Sequence, residues 1–350
     1  MASGTFRSLA HRCAASPPFG AAVRLADRVL PARAGLLTVL TYHRVDEPDR
    51  HPERAPGLLS ATPEGFGAQL DVVAGSCTAV SLDDVLAARE GRAGLPPRAV
   101  LLTFDDAYDD FAEVAWPLLR HHGLPATLFV PTAFPDAPGQ AFWWDRLHDA
   151  VARTPAPALD SPVGRLSLGS PVERDAAAHA LRTFVKSRPH EEAMGHVDAL
   201  LDDLEAPERP SPVLGWDRLR ALAAEGLALA PHSRTHPLLT RVGPDRLAEE
   251  VAGSRADLER ELGSAPPAFA YPSGANDDVV VAALAAAGYR VAFTTARGNE
   301  SMKAGAAPDW LRLRRVNVGG RTTPALLRAQ LLPVPLPPRR RNPARVVRTS

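Results

Sequence analysis

The 350-residue sequence predicts an α/β fold, with strands and helices alternating in a closed or nearly closed parallel barrel that carries one mostly helical insertion. Three observations support this. Short apolar runs alternate with helical periodicities about seven times along the chain. The alternation lapses between about 140 and 212, where Ala-rich, charged helical segments are broken by prolines. Polar residues able to do chemistry follow directly on the predicted strands, where ligands bind both in a barrel and in a doubly wound open sheet, the structural alternative.

The elements follow in order. "AGLLTVLTYHRVDEP" (34–48) reads as a buried strand over 36–41 that ends in Tyr42-His43-Arg44. A polar loop runs to about Ser60. In "TPEGFGAQLDVVAGS", Thr62 is a candidate N-cap, Pro63 sits in the first turn, and Phe66, Leu70 and Val73 fall at helical spacing. "CTAVSLDDVLAARE" reads as a short strand and a capped helix. "RAVLLTFDDAYDDFAEVAWPLLRHHGLPATLFVPT" reads as strand, loop, helix and strand, with a turn at Gly123-Leu124-Pro125. The insertion opens on Phe142-Trp143-Trp144-Asp145. Alternation resumes at Trp216 with a helix over 216–225 and a strand over 226–230. Then come a loop with two histidines, a helix over 244–262, the strand "PAFAYP", a helix over 277–287, the strand "YRVAFTT", and a last strand near "LRLRRVNV".

Residues 35–325 thus form the expected barrel, with 140–212 inserted. Residues 1–34 are an extension with an amphipathic helix at about 20–30, read as packing on the domain rather than docking on a membrane. Residues 326–350 form a Pro- and Arg-rich tail expected to be disordered.

Composition narrows the class. With 45% hydrophobic and 23% charged residues, the chain suits a soluble globular protein with a large core. Net charge is zero, but no acid precedes Asp27 or follows Asp309. The Arg339-Arg340-Arg341 tail is read as a solvated end, so no nucleic-acid partner is expected. Two cysteines, Cys13 and Cys77, make neither a disulfide framework nor a zinc site. No apolar run reaches membrane-spanning length, and the N-terminus shows no ordinary secretory signal. A cytoplasmic or membrane-peripheral location is expected over secretion. The oligomeric state is left open.

Asp105 and Asp106 end the apolar run of "LLTFDDAYDD" (101–110). Two buried carboxylates repel each other and are costly to desolvate. One reading makes them an N-cap and first-turn acid for a helix over 107–120. The other follows from "APHSRTHPLLT" (230–240), where His232 and His236 lie four apart just after a strand. Two neutral imidazoles and one carboxylate make a three-ligand set with an open position, suited to catalytic zinc or a related divalent ion. Adjacent aspartates cannot readily share one ion, so one would ligate while the other stands by as a base.

"TFDD" (103–106), "HSRTH" (232–236) and "FAYPSG" (269–274) together resemble the polysaccharide deacetylases of the NodB-homology type, carbohydrate esterase family four. "LTYHRV" (40–45) and the form of "FAYPSG" look most like the poly-N-acetylglucosamine deacetylase branch. The resemblance covers roughly 36–135 and 212–320. It implies a distorted (β/α)7 barrel and metal-dependent removal of N-acetyl groups from an amino-sugar glycan. By position it makes Asp105 the general base and Asp106, His232 and His236 the ligands of one metal, zinc first, with cobalt or nickel suiting the same donors. Tyr271-Pro272-Ser273 matches the segment whose backbone N–H holds the oxyanion.

Two departures stand out. The late histidine that many members use as general acid is absent, since no histidine follows His236. His43 fits the place from which the acid comes in the poly-N-acetylglucosamine branch, against the alternative of a histidine bonded at a strand end. The arginine that often orients the base is also absent, and Arg315 or Arg314 is the candidate replacement. Tyr108, Tyr271, Pro272 and Trp144 are candidate substrate contacts. Two other classes stay open: a glycan-binding protein with an impaired site, and a metal-dependent hydrolase of other non-peptide C–N bonds.

Overall fold

Apolar runs form the expected strands, and every second residue along them turns into the barrel. The computed structural model describes residues 16–30, 35–49, 51, 54–137, 141–206, 213–302 and 305–332. Cys13, the arginine cluster of the tail and the first fifteen residues lie outside them. The strands are β1 Leu36–Tyr42, β2 Arg44–Val45, β3 Leu59–Ala61, β4 Thr78–Ala79, β5 Ala99–Asp105, β6 Thr127–Val130, β7 Ala158–Ser161, β8 Gly164–Ser167, β9 Ala228–Pro231, β10 Ala268–Ala270, β11 Val291–Arg297, β12 Glu300–Ser301 and β13 Leu313–Asn317.

Seven of these form the sheet order β10-β11-β13-β1-β5-β6-β9, with β4 added beside β5 and β12 beside β1. Neighbours along the seven-strand path are parallel. The result is a nearly closed, distorted (β/α)7 barrel. Its two end strands, β9 and β10, share no ladder hydrogen bonds. Leu37, Val39, Leu101, Phe129, Ala230, Ala270, Phe293 and Leu313 pack together inside the barrel. Leu40, Leu102, Phe104, Leu128 and Leu229 lie in a second cluster with the helices. This period-two alternation decides the site, because Asp105 continues the inward row of Leu101, and Arg315 that of Leu313.

Helix Pro63–Ser76 is capped by the Thr62 side chain, as its sequence predicts. Helix Leu82–Arg89 opens with a reciprocal capping box between Ser81 and Asp84. The helix expected over 107–120 starts later, as a five-residue π-helical turn, Phe111–Ala115, followed by Trp116–His121. Asp106 and Ala107 have φ of 76° and 54°, which a right-handed helix cannot include. The helix expected over 244–262 is likewise split by a π-helical turn, Glu249–Gly253.

Three helices of the insertion, Trp143–Arg153, Pro171–Lys186 and His190–Asp203, pack on a core of their own around Leu147, Leu181 and Val197. The insertion also holds an antiparallel hairpin, β7–β8, that helical periodicity did not reveal. Helix Pro17–Val29 packs against helix Pro324–Gln330, and Arg328 bonds Asp27 at 2.7 Å. That last helix crosses the expected boundary of the tail. No helix among the described residues is long and apolar enough to cross a membrane.

Candidate active site

β5 brings Asp105 into the barrel mouth, and β13 brings Arg315 opposite it. Arg315 is 1% exposed and grips both oxygens of the carboxylate, Nη1 donating to Oδ1 at 2.8 Å and Nη2 to Oδ2 at 2.7 Å. Its Nε donates to the Thr294 carbonyl at 2.9 Å, which fixes the fork. Burial alone would raise the pKa of Asp105, but the charge and hydrogen bonds of Arg315, joined by His232 and His43, together outweigh it and hold the carboxyl below its ordinary range. Of the two arginines expected here, Arg314 turns away and pairs with Glu300 at 2.8 Å.

Asp106 turns the other way. Its positive φ swings the carboxylate toward the loop after β9, where Oδ1 lies 3.6 Å from His232 Nε2 and 3.3 Å from His236 Nε2. One donor atom from each of the three residues falls within 4.8 Å of the others, and all three residues are buried. Asp106 Oδ1 is itself buried with no hydrogen-bond partner. Burial pushes His232 down to about 4, against the pull of Asp105, so the ring is neutral at neutral pH. His232 Nδ1 contacts the Ala270 carbonyl at 2.7 Å. A carbonyl only accepts, so Nδ1 carries the proton and Nε2 presents its lone pair toward Asp106. An unpartnered anionic oxygen and a bare imidazole nitrogen fit a divalent cation.

Buried acids hold the histidine loop from behind. Glu250 is 0% exposed and sits in the π-helical turn. It accepts from the Arg234 and Thr235 amides, each at 2.8 Å, and from the Thr235 hydroxyl. Asp257 accepts from Thr132 Oγ1 at 2.7 Å and Arg234 Nε at 2.9 Å. These bonds fix a loop in which Ser233 and His236 have φ of 61° and 58°. Ser273, also at positive φ (52°), brings the fifth such residue to the site. Strained conformations of this kind persist only where the surroundings enforce them.

The site opens into a cavity of about 190 Å³ lined by His43, Leu58, Asp105, Asp106, Trp144, Arg182, Lys186, His232, His236, Ser273 and Thr295. His43 is half-buried on its edge, and its backbone N–H donates to Ser60 Oγ at 2.9 Å. Ser273 sits in the first turn of a 3-10 segment, Pro272–Gly274, where amides lack an intrahelical acceptor. Trp144 packs edge-on against His236, with ring centres 4.7 Å apart.

Three expected substrate contacts do not reach the cavity. Tyr108 is fully buried; its hydroxyl donates to Asp145 at 2.8 Å and accepts from Trp144 Nε1 at 2.9 Å. The reversal at Asp106 and Ala107 turns it inward. Tyr271 is buried with its hydroxyl on the Leu311 carbonyl at 2.8 Å, and Pro272 is buried beside it. Sequence reasoning missed Arg182, Lys186 and Thr295 in the lining and Glu250 behind it. The signal available for the first two was their spacing of four, which puts both on one side of a helix.

A family model described as polysaccharide deacetylase matches residues 92–292. Among curated proteins, none matches the chain in sequence. Solved structures share the fold. The Streptococcus pyogenes deacetylase PplD, in complex with acetate, is 21% identical with a TM-score of 0.58, covering 86% of this chain and 100% of its own. IcaB from Ammonifex degensii is 21% identical with a TM-score of 0.55, covering 86% and 98%. BC0361, a polysaccharide deacetylase from Bacillus cereus, is 19% identical with a TM-score of 0.54, covering 85% and 69%.

Proposed function

Since the chain belongs to the polysaccharide deacetylase family, whose members are de-N-acetylating hydrolases, we propose that it removes N-acetyl groups from an amino-sugar glycan with a divalent ion held by Asp106, His232 and His236. The observation that carries this reading is the buried, partnerless Asp106 Oδ1 facing two histidines. When bound there, a divalent ion supplies Lewis acidity toward the amide oxygen and lowers the pKa of water toward ~7. Zinc suits these donors first, and cobalt or nickel also fit.

The chain's own groups divide the remaining work. Asp105 accepts the proton of the attacking water. Arg315 keeps it ionised and aimed, as a base must be before the reaction starts. The Ser273 N–H, at the cavity wall, donates to the oxyanion that develops on the acetyl carbonyl oxygen as water attacks the carbon. His43 gives a proton to the departing amine from the cavity edge. Trp144 backs His236 and closes that side of the cavity against water.

An acetate-release assay on N-acetylated oligosaccharides, with and without chelator, tests the activity and its metal dependence together. Asp105→Asn should keep the metal, measured by elemental analysis, while turnover falls. Turnover at the wild-type rate would remove Asp105 from the role of base. Removing His43 should lower turnover by roughly 10²–10⁴-fold, the usual contribution of a general acid.

A further inference from the structure

The insertion supplies the cavity with two cations that the reaction outlined above does not use. Arg182 and Lys186 lie one helical turn apart on Pro171–Lys186, and both line the cavity with Asp105, Asp106 and the two histidines. Lys186 Nζ donates to Ser273 Oγ at 3.2 Å, which sets the ammonium beside the proposed oxyanion wall. Neither residue makes an ion pair with a carboxylate among the described residues. Asp175 and Asp145 act on Arg182, and Asp106 on Lys186, only from beyond ion-pair distance. Asp105 is held by Arg315, and Asp145 accepts from the Tyr108 hydroxyl and lies 4.0 Å from Arg44. Asp106 faces the histidines.

A neutral N-acetylated sugar brings nothing to balance this pair. The insertion packs on its own core, so its cations have no structural need to point into the barrel mouth. A helix C-terminus tolerates Lys186 on electrostatic grounds, but solvent would serve that purpose equally well. Guanidinium and ammonium groups held together at a cavity wall recognise an oxyanion.

Resting on the deacetylase reading, we propose that Arg182 and Lys186 make this a deacetylase of anionic glycans: the scissile N-acetyl sugar, or its neighbour in the chain, carries a carboxylate or phosphate that docks on the two side chains.

The test compares acetate release from neutral N-acetylglucosamine oligosaccharides with release from two anionic sets, one carrying uronic or carboxyalkyl groups and one carrying phosphate. Wild-type kcat/KM should favour one anionic set by about 10–100-fold, the scale of one or two charge-assisted hydrogen bonds. Which set is favoured identifies the oxyanion. In the Arg182→Gln/Lys186→Gln variant the ratio of anionic to neutral kcat/KM should fall toward one, mainly through KM, while Arg182→Lys/Lys186→Arg keeps most of it. Added salt should lower the wild-type ratio. Equal wild-type kcat/KM on all sets would overturn the proposal and leave the deacetylase reading standing. A double variant that loses the same factor on neutral and anionic substrates would also overturn it, because the pair would then serve the acetyl group itself. Acetate from none of the sets would overturn the deacetylase reading and the proposal with it.

Discussion

Replacing Arg315 with methionine isolates the pair at the centre of the barrel. In the metal-free protein the perturbation removes a guanidinium that is 1% exposed and leaves the Asp105 carboxylate 3% exposed without its cation partner. Two unit charges about 4 Å apart at an effective dielectric of about 20 attract by about 4 kcal/mol. Breaking a buried pair by deleting one partner costs about 3–5 kcal/mol for the same reason, because the orphaned charge stays desolvated. The pH dependence has a definite sign. Asp105 has a depressed pKa in the folded protein, so its stabilisation is present above the unfolded value near 3.9 and lost as pH falls through the lower folded value. In the variant the carboxylate is unpaired and its pKa rises, so its penalty is greatest at neutral pH and relieved on protonation. Urea unfolding at pH 7 should therefore show a loss of about 3–5 kcal/mol that shrinks toward pH 4. Adding Asp105→Asn should restore part of the loss, since the double variant buries no charge there. A single-variant loss under about 1 kcal/mol, or one that does not change with pH, would refute the account of Arg315 as the group that keeps Asp105 ionised.

Three further outcomes follow from the same geometry. Glu250→Ala leaves the Arg234 and Thr235 amides without their shared acceptor; we expect about 3 kcal/mol of lost stability and zinc affinity weaker by about 10–100-fold, read by urea unfolding and calorimetry. Unchanged zinc affinity would show that the loop holds its shape without the acid. Gly274→Ala places a Cβ 2.5 Å from the Thr295 amide nitrogen at a φ of +71°, so a loss of at least about 1 kcal/mol together with reduced turnover is expected, and a silent substitution would contradict the packing at Ser273. For the metal-free protein, His232 is depressed from 6.5 to about 4, so the unfolded chain takes up its proton first. Stability should be full above pH 6.5 and fall by about 3 kcal/mol on the way to pH 4, and a His232→Gln curve parallel to the wild type over that range would rule the histidine out as the cause.

The parts of the fold written in local pattern were legible. Strands β1, β5, β6 and β9 are near-continuous apolar runs, and Thr62, Pro63 and Ser81 mark helix starts by their own chemistry. The residues that meet at the candidate metal site could be proposed because Asp106 and His232 directly follow strands and His236 lies four residues past His232. Pairing across long separations was much less visible. Arg315 and Arg314 are neighbours on one strand, and only the direction in which β13 faces decides which reaches Asp105, 210 residues away. Tyr108 follows Asp106 by two and would line the cleft had the backbone stayed right-handed. The positive φ at Asp106 and Ala107, in residues with no glycine to announce it, buries the ring. Arg182 and Lys186 read as an ordinary charged helix face, since nothing in a helix's own period says which neighbour it covers. Glu250 was hidden for the same reason, and the π-helical turn that aims it leaves no compositional trace.

The contact from His232 Nδ1 to the Ala270 carbonyl also crosses the gap between β9 and β10, where the sheet has no ladder to close it. One imidazole ring is thus both the seam of the cylinder and a member of the candidate metal triad, and a single tautomer satisfies both duties. A carboxylate or thiolate put in its place can still donate to a cation, but neither can hand a proton to Ala270. Retuning this centre for a different ion by exchanging that ligand would thus loosen the barrel wall at the same stroke, whereas an exchange at His236, which carries no such tie, would leave the wall closed.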